Sequence, residues 1–428
     1  MSSITILYRQ EASSLLNGLF LVSMDIKSLI RTLKTSPLLA PVLALIDLTL
    51  FVVDTLAILS AGRVQCRPKS LLIVRVDVLG DYLLFRNYLK SIRNSTRFQQ
   101  YTITLCANFS IRTIAETFDS DIVDTFIWTD IYKLSTQLGY RFTFMRQLRK
   151  QGFDVVFCPT FSRVLVLDDF LARSTGASER VGCLTDFVNI NRWEAWFGNR
   201  LYTRMIDSGP GIVFEMERNR RISEQFLGES VATSSLLLDR SKAKPVALPQ
   251  PYIVLSLGAG QDFRIWPASR YGQVAQFIQL HYPAYHIVLT GAPNEQPYSD
   301  ALLALLPDRS NLLDLTGKLS IAELIYVVSN ASLLITNETG IVHIAASTQT
   351  PTIVASQGKS LVRWHPYPQR SSEHIHHLYP DFVEQHRGNL EQIAPQFNPE
   401  SPFPIDVITI ERVLDKVQTL LPVRQPIG

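Results

Sequence analysis

The sequence predicts an α/β protein built from two successive parallel-sheet domains, and three observations carry that prediction. Past residue 68, short apolar runs at Leu71–Val76, Thr102–Cys106 and Asp154–Cys158 alternate with longer mixed segments such as Tyr82–Asn94 and Phe142–Gln151. Strands covered by helices on both faces read this way. A polar, basic, proline-rich stretch, Arg240–Pro251, then interrupts the pattern as an interdomain linker does. Beyond it the alternation restarts, with apolar runs at Tyr252–Leu257, His286–Thr290, Leu333–Asn337 and Thr352–Ser356. The chain therefore divides into an extension over residues 1–68, an α/β domain over 69–240, a linker over 241–251 and a second α/β domain over 252–428.

Composition narrows the function classes. The 428 residues carry 41 basic and 38 acidic side chains, a net charge of +3, so no global field advertises a nucleic-acid partner. Cys66, Cys106, Cys158 and Cys183 stand far apart, with neither metal-ligand spacing nor the density of a disulfide scaffold, which fits a reducing cytosolic setting. The extension contains an apolar stretch, Leu38–Ser60, long enough to cross a bilayer but interrupted by Pro41, Asp47 and Asp54. Each central Asp costs roughly 2.5–3.5 kcal/mol on an insertion scale. Basic residues flank it on both sides, Lys27, Arg31 and Lys34 before and Arg63, Arg67 and Lys69 after, so charge assigns no orientation. The stretch reads as an interfacial or core-packed helix ahead of a true span.

Two places carry chemistry. The run Leu71–Val76 is followed at once by Asp77-Val78-Leu79-Gly80-Asp81, a strand opening onto a helix, with Gly80 allowing a tight turn and Asp81 at the helix mouth. A carboxylate there faces the crevice in which open α/β sheets bind ligands. In the second domain, Tyr252–Leu257 leads to Gly258-Ala259-Gly260 and then Arg264-Ile265-Trp266-Pro267, with Pro267 opening the helix Ala268–Leu280. Small residues let backbone amides approach an anion, and Arg264 offers a fork matched to phosphate oxygens. Phe263 stands where a dinucleotide fingerprint needs its third glycine, which weighs against a nicotinamide dehydrogenase. Downstream, Leu333–Asn337 runs into Glu338-Thr339-Gly340-Ile341-Val342-His343. A helix starting there directs its amides and dipole at a negative ligand, Glu338 suits sugar hydroxyls, and Thr339 and Gly340 suit a diphosphate. Taken singly, helix capping explains Glu338 and Asp81, and a satisfied helix histidine explains His343.

Taken together and in order, these residues resemble glycosyltransferase family 9, the heptosyltransferase-like enzymes. The resemblance rests on Leu71–Asp81, on Arg264-Ile265-Trp266-Pro267 and on Asn337-Glu338-Thr339-Gly340-Ile341-Val342-His343. It extends to Glu215–Asn219, Leu289–Glu295, Leu315–Lys318 and Arg363–Tyr367. It implies a GT-B architecture, with two Rossmann-like domains facing a central cleft. It also implies metal-independent, cofactor-free transfer with inversion from a nucleotide-diphosphate sugar such as ADP-heptose to a lipid-linked or oligosaccharide acceptor. Such an enzyme works at the inner face of the cytoplasmic membrane with peripheral membrane contact. The implied roles are Asp81 as base, Gly258, Gly260, Arg264, Glu338, Thr339, Gly340 and His343 around the donor, and Gly80 and Lys359 at the acceptor side or in turns.

Departures from the family pattern qualify the roles. Ser256-Leu257-Gly258 replaces the usual His-Pro-Gly, Glu338 replaces an Asp, and Gln357-Gly358-Lys359 replaces Gly-Pro-Thr. Lys359 then reads either as an added charge for an anionic ligand or as a solvated loop lysine. Two further clusters read as structural. Asp119-Ser120-Asp121 fits a polar helix-to-strand turn before Ile122-Val123 better than a cation site, and Glu373-His374-Ile375-His376-His377 fits a polar surface loop better than zinc. The alternative function is a non-catalytic nucleotide-sugar or glycan-binding protein that keeps the fold, against which the carboxylate Asp81 speaks.

Overall fold

A computed structural model describes residues 40–232, 236–368 and 373–421. Lys27, Arg31, Lys34 and the first residues of the apolar stretch, with the last residues of the second domain, lie outside them. Residues 1–49 form one unit, described only from Ala40, where a helix begins that runs to Ser60; the main body starts at Leu50.

The body holds two six-stranded sheets. The first comprises β1 (Arg67–Arg75), β2 (Thr102–Asn108), β3 (Thr125–Thr129), β4 (Phe153–Phe157), β5 (Glu179–Cys183) and β6 (Arg204–Ile206). The second comprises β7 (Tyr252–Ser256), β8 (His286–Thr290), β9 (Leu312–Asp314), β10 (Leu333–Asn337), β11 (Thr352–Ala355) and β12 (Ile375–Leu378). Every pairing is parallel, and the orders are β3-β2-β1-β4-β5-β6 and β12-β11-β10-β7-β8-β9. Counted within each sheet, both are the doubly wound order 3-2-1-4-5-6. The α/β architecture inferred from the alternation is the observed one.

The central strands are buried on both faces, which is why they read as unbroken apolar runs. Leu71, Leu72, Ile73 and Val74 of β1 and Tyr252, Ile253, Val254 and Leu255 of β7 are fully buried. One core cluster is continuous across the two sheets, joining Ile73 and Phe157 of the first to Ile325, Val328 and Ile344 beside the second. The helix Leu79–Asn94 is the keystone, with Tyr82, Leu83, Leu84, Phe85, Tyr88 and Leu89 all buried. The helix Gly340–Thr348 of the second lobe packs against it.

Several local expectations change. The stretch Arg240–Pro251 is tied down, with a short 3-10 turn at Arg240–Lys242, Lys242 Nζ 3.5 Å from Asp121 and Lys244 Nζ 2.7 Å from Glu323. Asp119 is buried, accepting from Tyr82 Oη at 2.6 Å and from both sides of the Arg86 guanidinium, so it anchors a helix end. The strand expected at Ile122-Val123 begins only at Thr125. The histidine cluster is not a surface loop: Ile375–Leu378 is the edge strand β12, and His377 is buried in a ring cluster with His365 and Tyr379.

Candidate functional site

A cavity of about 540 Å³ lies where the carboxyl ends of both sheets face each other. All ten residues singled out in the sequence line it: Gly80, Asp81, Gly258, Gly260, Arg264, Glu338, Thr339, Gly340, His343 and Lys359. The doubly wound order explains this convergence. In each sheet the connections after the first and fourth strands leave in opposite directions and open a crevice. Asp77 and Asp81 follow β1, the glycine loop follows β7, and Glu338 and Thr339 follow β10.

The phosphate-type half of the site is held by its neighbours. Trp266 is buried and donates through Nε1 to the Ile408 carbonyl at 2.8 Å, which fixes the loop and leaves Arg264 at the cavity wall. Asn337 clamps the same loop, accepting from Trp266 N at 3.0 Å and donating to the Leu257 carbonyl at 2.6 Å. Arg264 has no carboxylate partner among the described residues, and its buried Nε has no hydrogen-bond acceptor. Thr339 is the N-cap of Gly340–Thr348 but makes no capping bond through its side chain, so the first-turn amides open onto the cavity. An uncapped helix start beside an unpaired guanidinium offers the chemistry that an anion needs. Gly260 has open space where a side chain would stand, whereas Gly258 is pressed on by the Glu295 carboxyl, 1.9 Å from where a Cβ would be.

The opposite wall is acidic. Asp81 lies in the first helical turn after β1, partly buried, and burial together with the neighbouring Asp77 charge pushes its carboxyl up to about 7 against the pull of Arg75 and Arg363. Asp168, beyond β4, is likewise pushed up to about 7, by burial and Asp77. Arg75 is buried nearby, its Nε 2.9 Å from Asp77, and feels the charges of Asp81 and Asp168 as well. Arg363 reaches over from the second lobe, donating to Glu215 at 3.0 Å, Asp186 at 2.8 Å and Ser162 at 2.7 Å.

Two assigned residues do something different from what was expected. Gly80 makes no left-handed turn; it lies inside the helix Leu79–Asn94, and a Cβ there would stand 2.9 Å from His343 Cδ2. Its smallness lets the two cleft helices touch. Lys359 is no solvated loop lysine: it is buried, 2.9 Å from Gln261 Oε1 and 3.0 Å from Glu400 Oε2. Glu338 accepts from the Ser256 hydroxyl and lies 3.0 Å from His365 Nε2, so one carboxylate oxygen is engaged by the protein. His343 bonds Tyr367 Oη through Nδ1, and burial lowers its pKa to about 4, leaving the ring neutral near pH 7.

Residues 141–391 match the profile of glycosyltransferase family 9 (heptosyltransferase), more than half of the chain. The chain belongs to glycosyltransferase family 9. The lipooligosaccharide heptosyltransferase 2 of Haemophilus influenzae is 25% identical over 183 residues, 42% of this chain and 50% of that protein. The lipopolysaccharide heptosyltransferase 2 of Salmonella typhimurium is 26% identical over 158 residues, 36% of this chain and 42% of that protein. The chain thus spans about half the length of these relatives, or less. Among solved structures, a family 9 glycosyltransferase from Veillonella parvula superposes with a TM-score of 0.64 at 17% identity, over 83% of this chain and 98% of that one. The E. coli ADP-heptose lipopolysaccharide heptosyltransferase II gives 0.61 at 16%, over 82% and 98%. These neighbours share the GT-B fold with this family 9 chain. The Asp81 turn precedes the segment matched by the family profile, so its place in the site rests on geometry.

Sequence reasoning gave no role to Arg75 and Asp168, although each is a charge inside an otherwise apolar run. It noted His365 within Arg363–Tyr367 and His377 within the histidine cluster but could not place them at the site, because their burial depends on strands far apart in the chain.

Proposed function

We propose that this family 9 chain transfers a sugar of the heptose class from a nucleoside-diphosphate donor to a hydroxyl of a lipopolysaccharide-core or related surface-glycan acceptor, at the cytoplasmic side of the membrane. The observation that carries the reading is the shared cavity. A carboxyl poised near neutrality stands on one wall, and on the other an unpaired guanidinium stands beside open helix amides.

The chemistry follows as a single displacement. Asp81, ionised above about pH 7, accepts the proton of the acceptor hydroxyl as its oxygen bonds to the anomeric carbon. The bond from that carbon to the diphosphate oxygen breaks on the opposite face, so the configuration inverts. The departing diphosphate carries its new charge into the field of Arg264 and the amides around Gly340, a stabilisation that requires no cation. Glu338, positioned by Ser256 and His365, faces the sugar hydroxyls with its remaining acceptor capacity. Lys359 steadies the loop through Glu400.

The test is Asp81→Asn. Transfer falls by about 10³-fold, within the range for loss of a general base. Thermal stabilisation by ADP, and by the preferred member of a panel of nucleotide sugars, persists. Loss of stabilisation together with turnover would move Asp81 to the donor site. Unchanged turnover would point to a different base, and donor binding without turnover in the parent chain would point to a binding protein.

A further inference from the structure

The helix Ala40–Ser60 buries a face that carries a carboxylate and exposes an apolar one. From Leu50 on, the face turned to the body carries Leu50, Asp54 and Ala57, all buried, whereas Val52, Leu56 and Leu59 are exposed. A helix on the water-facing side of a domain shows the reverse pattern. The inner face is firmly seated. Asp54 accepts from Arg141 Nε at 2.7 Å and Nη2 at 2.6 Å, Thr55 Oγ1 accepts from Arg173 at 2.8 Å, and the Phe51 ring meets Phe170 and Phe197 edge-on at 5.5 Å.

Phe197 belongs to the neighbouring helix Arg192–Asn199, which exposes Trp193 and Trp196 at 60% and 53% of their surface. The Arg200 guanidinium lies 3.6 Å from the Trp196 ring centroid. The exposed charges on these elements have one sign. Arg63, Arg192 and Arg200 are open to solvent, while Asp47 is half-buried and the carboxylates Asp54 and Glu194 are buried, one in the ion pair with Arg141 and the other in a capping box with Asn191.

We infer that this face docks on a bilayer carrying anionic phospholipid, with the helix lying in the plane of the interface. Val52, Leu56 and Leu59 enter the acyl boundary, the two tryptophans lie at headgroup depth, and the arginines meet lipid phosphates. The ion pair of Asp54 with Arg141 and the seating of Phe51 on Phe170 and Phe197 tie the helix to the body along one side, which favours an interfacial position over a span surrounded by lipid. Docking does not depend on the transfer reaction; it brings the cleft to a lipid-linked acceptor.

Flotation of the full chain with phosphatidylcholine vesicles, with and without one-third phosphatidylglycerol, tests this. Binding is expected to the anionic vesicles, to weaken with salt, and to drop at least tenfold in Trp193→Ala/Trp196→Ala/Leu56→Glu with the Tm unchanged. Quenching of native tryptophan fluorescence by brominated lipid is expected too, and it needs no variant. Undiminished binding in the variant, absent quenching, or resistance to alkaline carbonate extraction, as a spanning helix shows, each overturns the proposal. So does a solution dimer that the same substitutions dissociate.

Discussion

At the crevice of the first sheet Asp81 lines the cavity, with Asp77, Asp168 and Arg75 buried or half-buried behind it, whereas the second sheet brings Gly258, Gly260, Arg264 and the uncapped start of Gly340–Thr348 to the matching place. The strand order is the same in both. Topology therefore supplies two crevices, and the residues that follow the strands give them opposite electrostatics. One wall concentrates carboxylates, whose mutual repulsion and burial raise proton affinity. The other leaves donors unpaired and suits an anion. A reaction in which one partner sheds a proton while the other gains negative charge uses both walls at once.

The contrast breaks in different ways at the two walls. Removing the guanidinium by Arg264→Ala deprives a diphosphate of a charge-assisted bond worth about 1.5–3 kcal/mol, so the ADP dissociation constant rises roughly 10- to 100-fold by calorimetry. The pH profile of transfer reports the acidic wall. With Asp81 near 7, kcat/KM declines about tenfold per unit below that value, because the protonated carboxyl accepts no proton.

Stability moves in the opposite sense. The Asp81 carboxyl is raised from 3.8 to about 7, so the folded state binds its proton more tightly than the unfolded chain does. The stabilisation this gives is complete below the unfolded value and is lost as pH rises through about 7. Asp81→Asn accordingly raises Tm relative to the parent at alkaline pH and not in acid. A smaller effect comes from the contact between the two walls. Gly80→Ala drives a methyl to 2.9 Å from His343, which costs about 1–2 kcal/mol of stability and a several-fold loss of kcat/KM, relieved when His343→Ala is added.

Much of the scaffold was legible because its signals are local. The boundaries of β8 and β10 fall where the apolar runs place them. The Trp-Pro motif was legible as a loop-to-helix junction, and Arg264 as its charged outcome, since neighbours in sequence fix both. Burial by distant strands was not legible. Lys359 reads equally as solvated or as a ligand charge until Glu400 and Gln261 close over it, and His377 looks exposed until His365 and Tyr379 pack against it. The helix around Asp54 was ambiguous for the same reason, because its partner Arg141 lies 87 residues away.

The sequence by itself determined the α/β class, the strand-to-helix turns and the residue types at the ends of β1, β7 and β10, because those follow from periodicity and near-neighbour sterics. Only the tertiary structure decided that the carboxylate end of one sheet faces the amide end of the other, and with it the proton affinity of Asp81. Desolvation and Coulomb interaction depend on through-space distance between groups remote in the chain, and no local pattern encodes that distance.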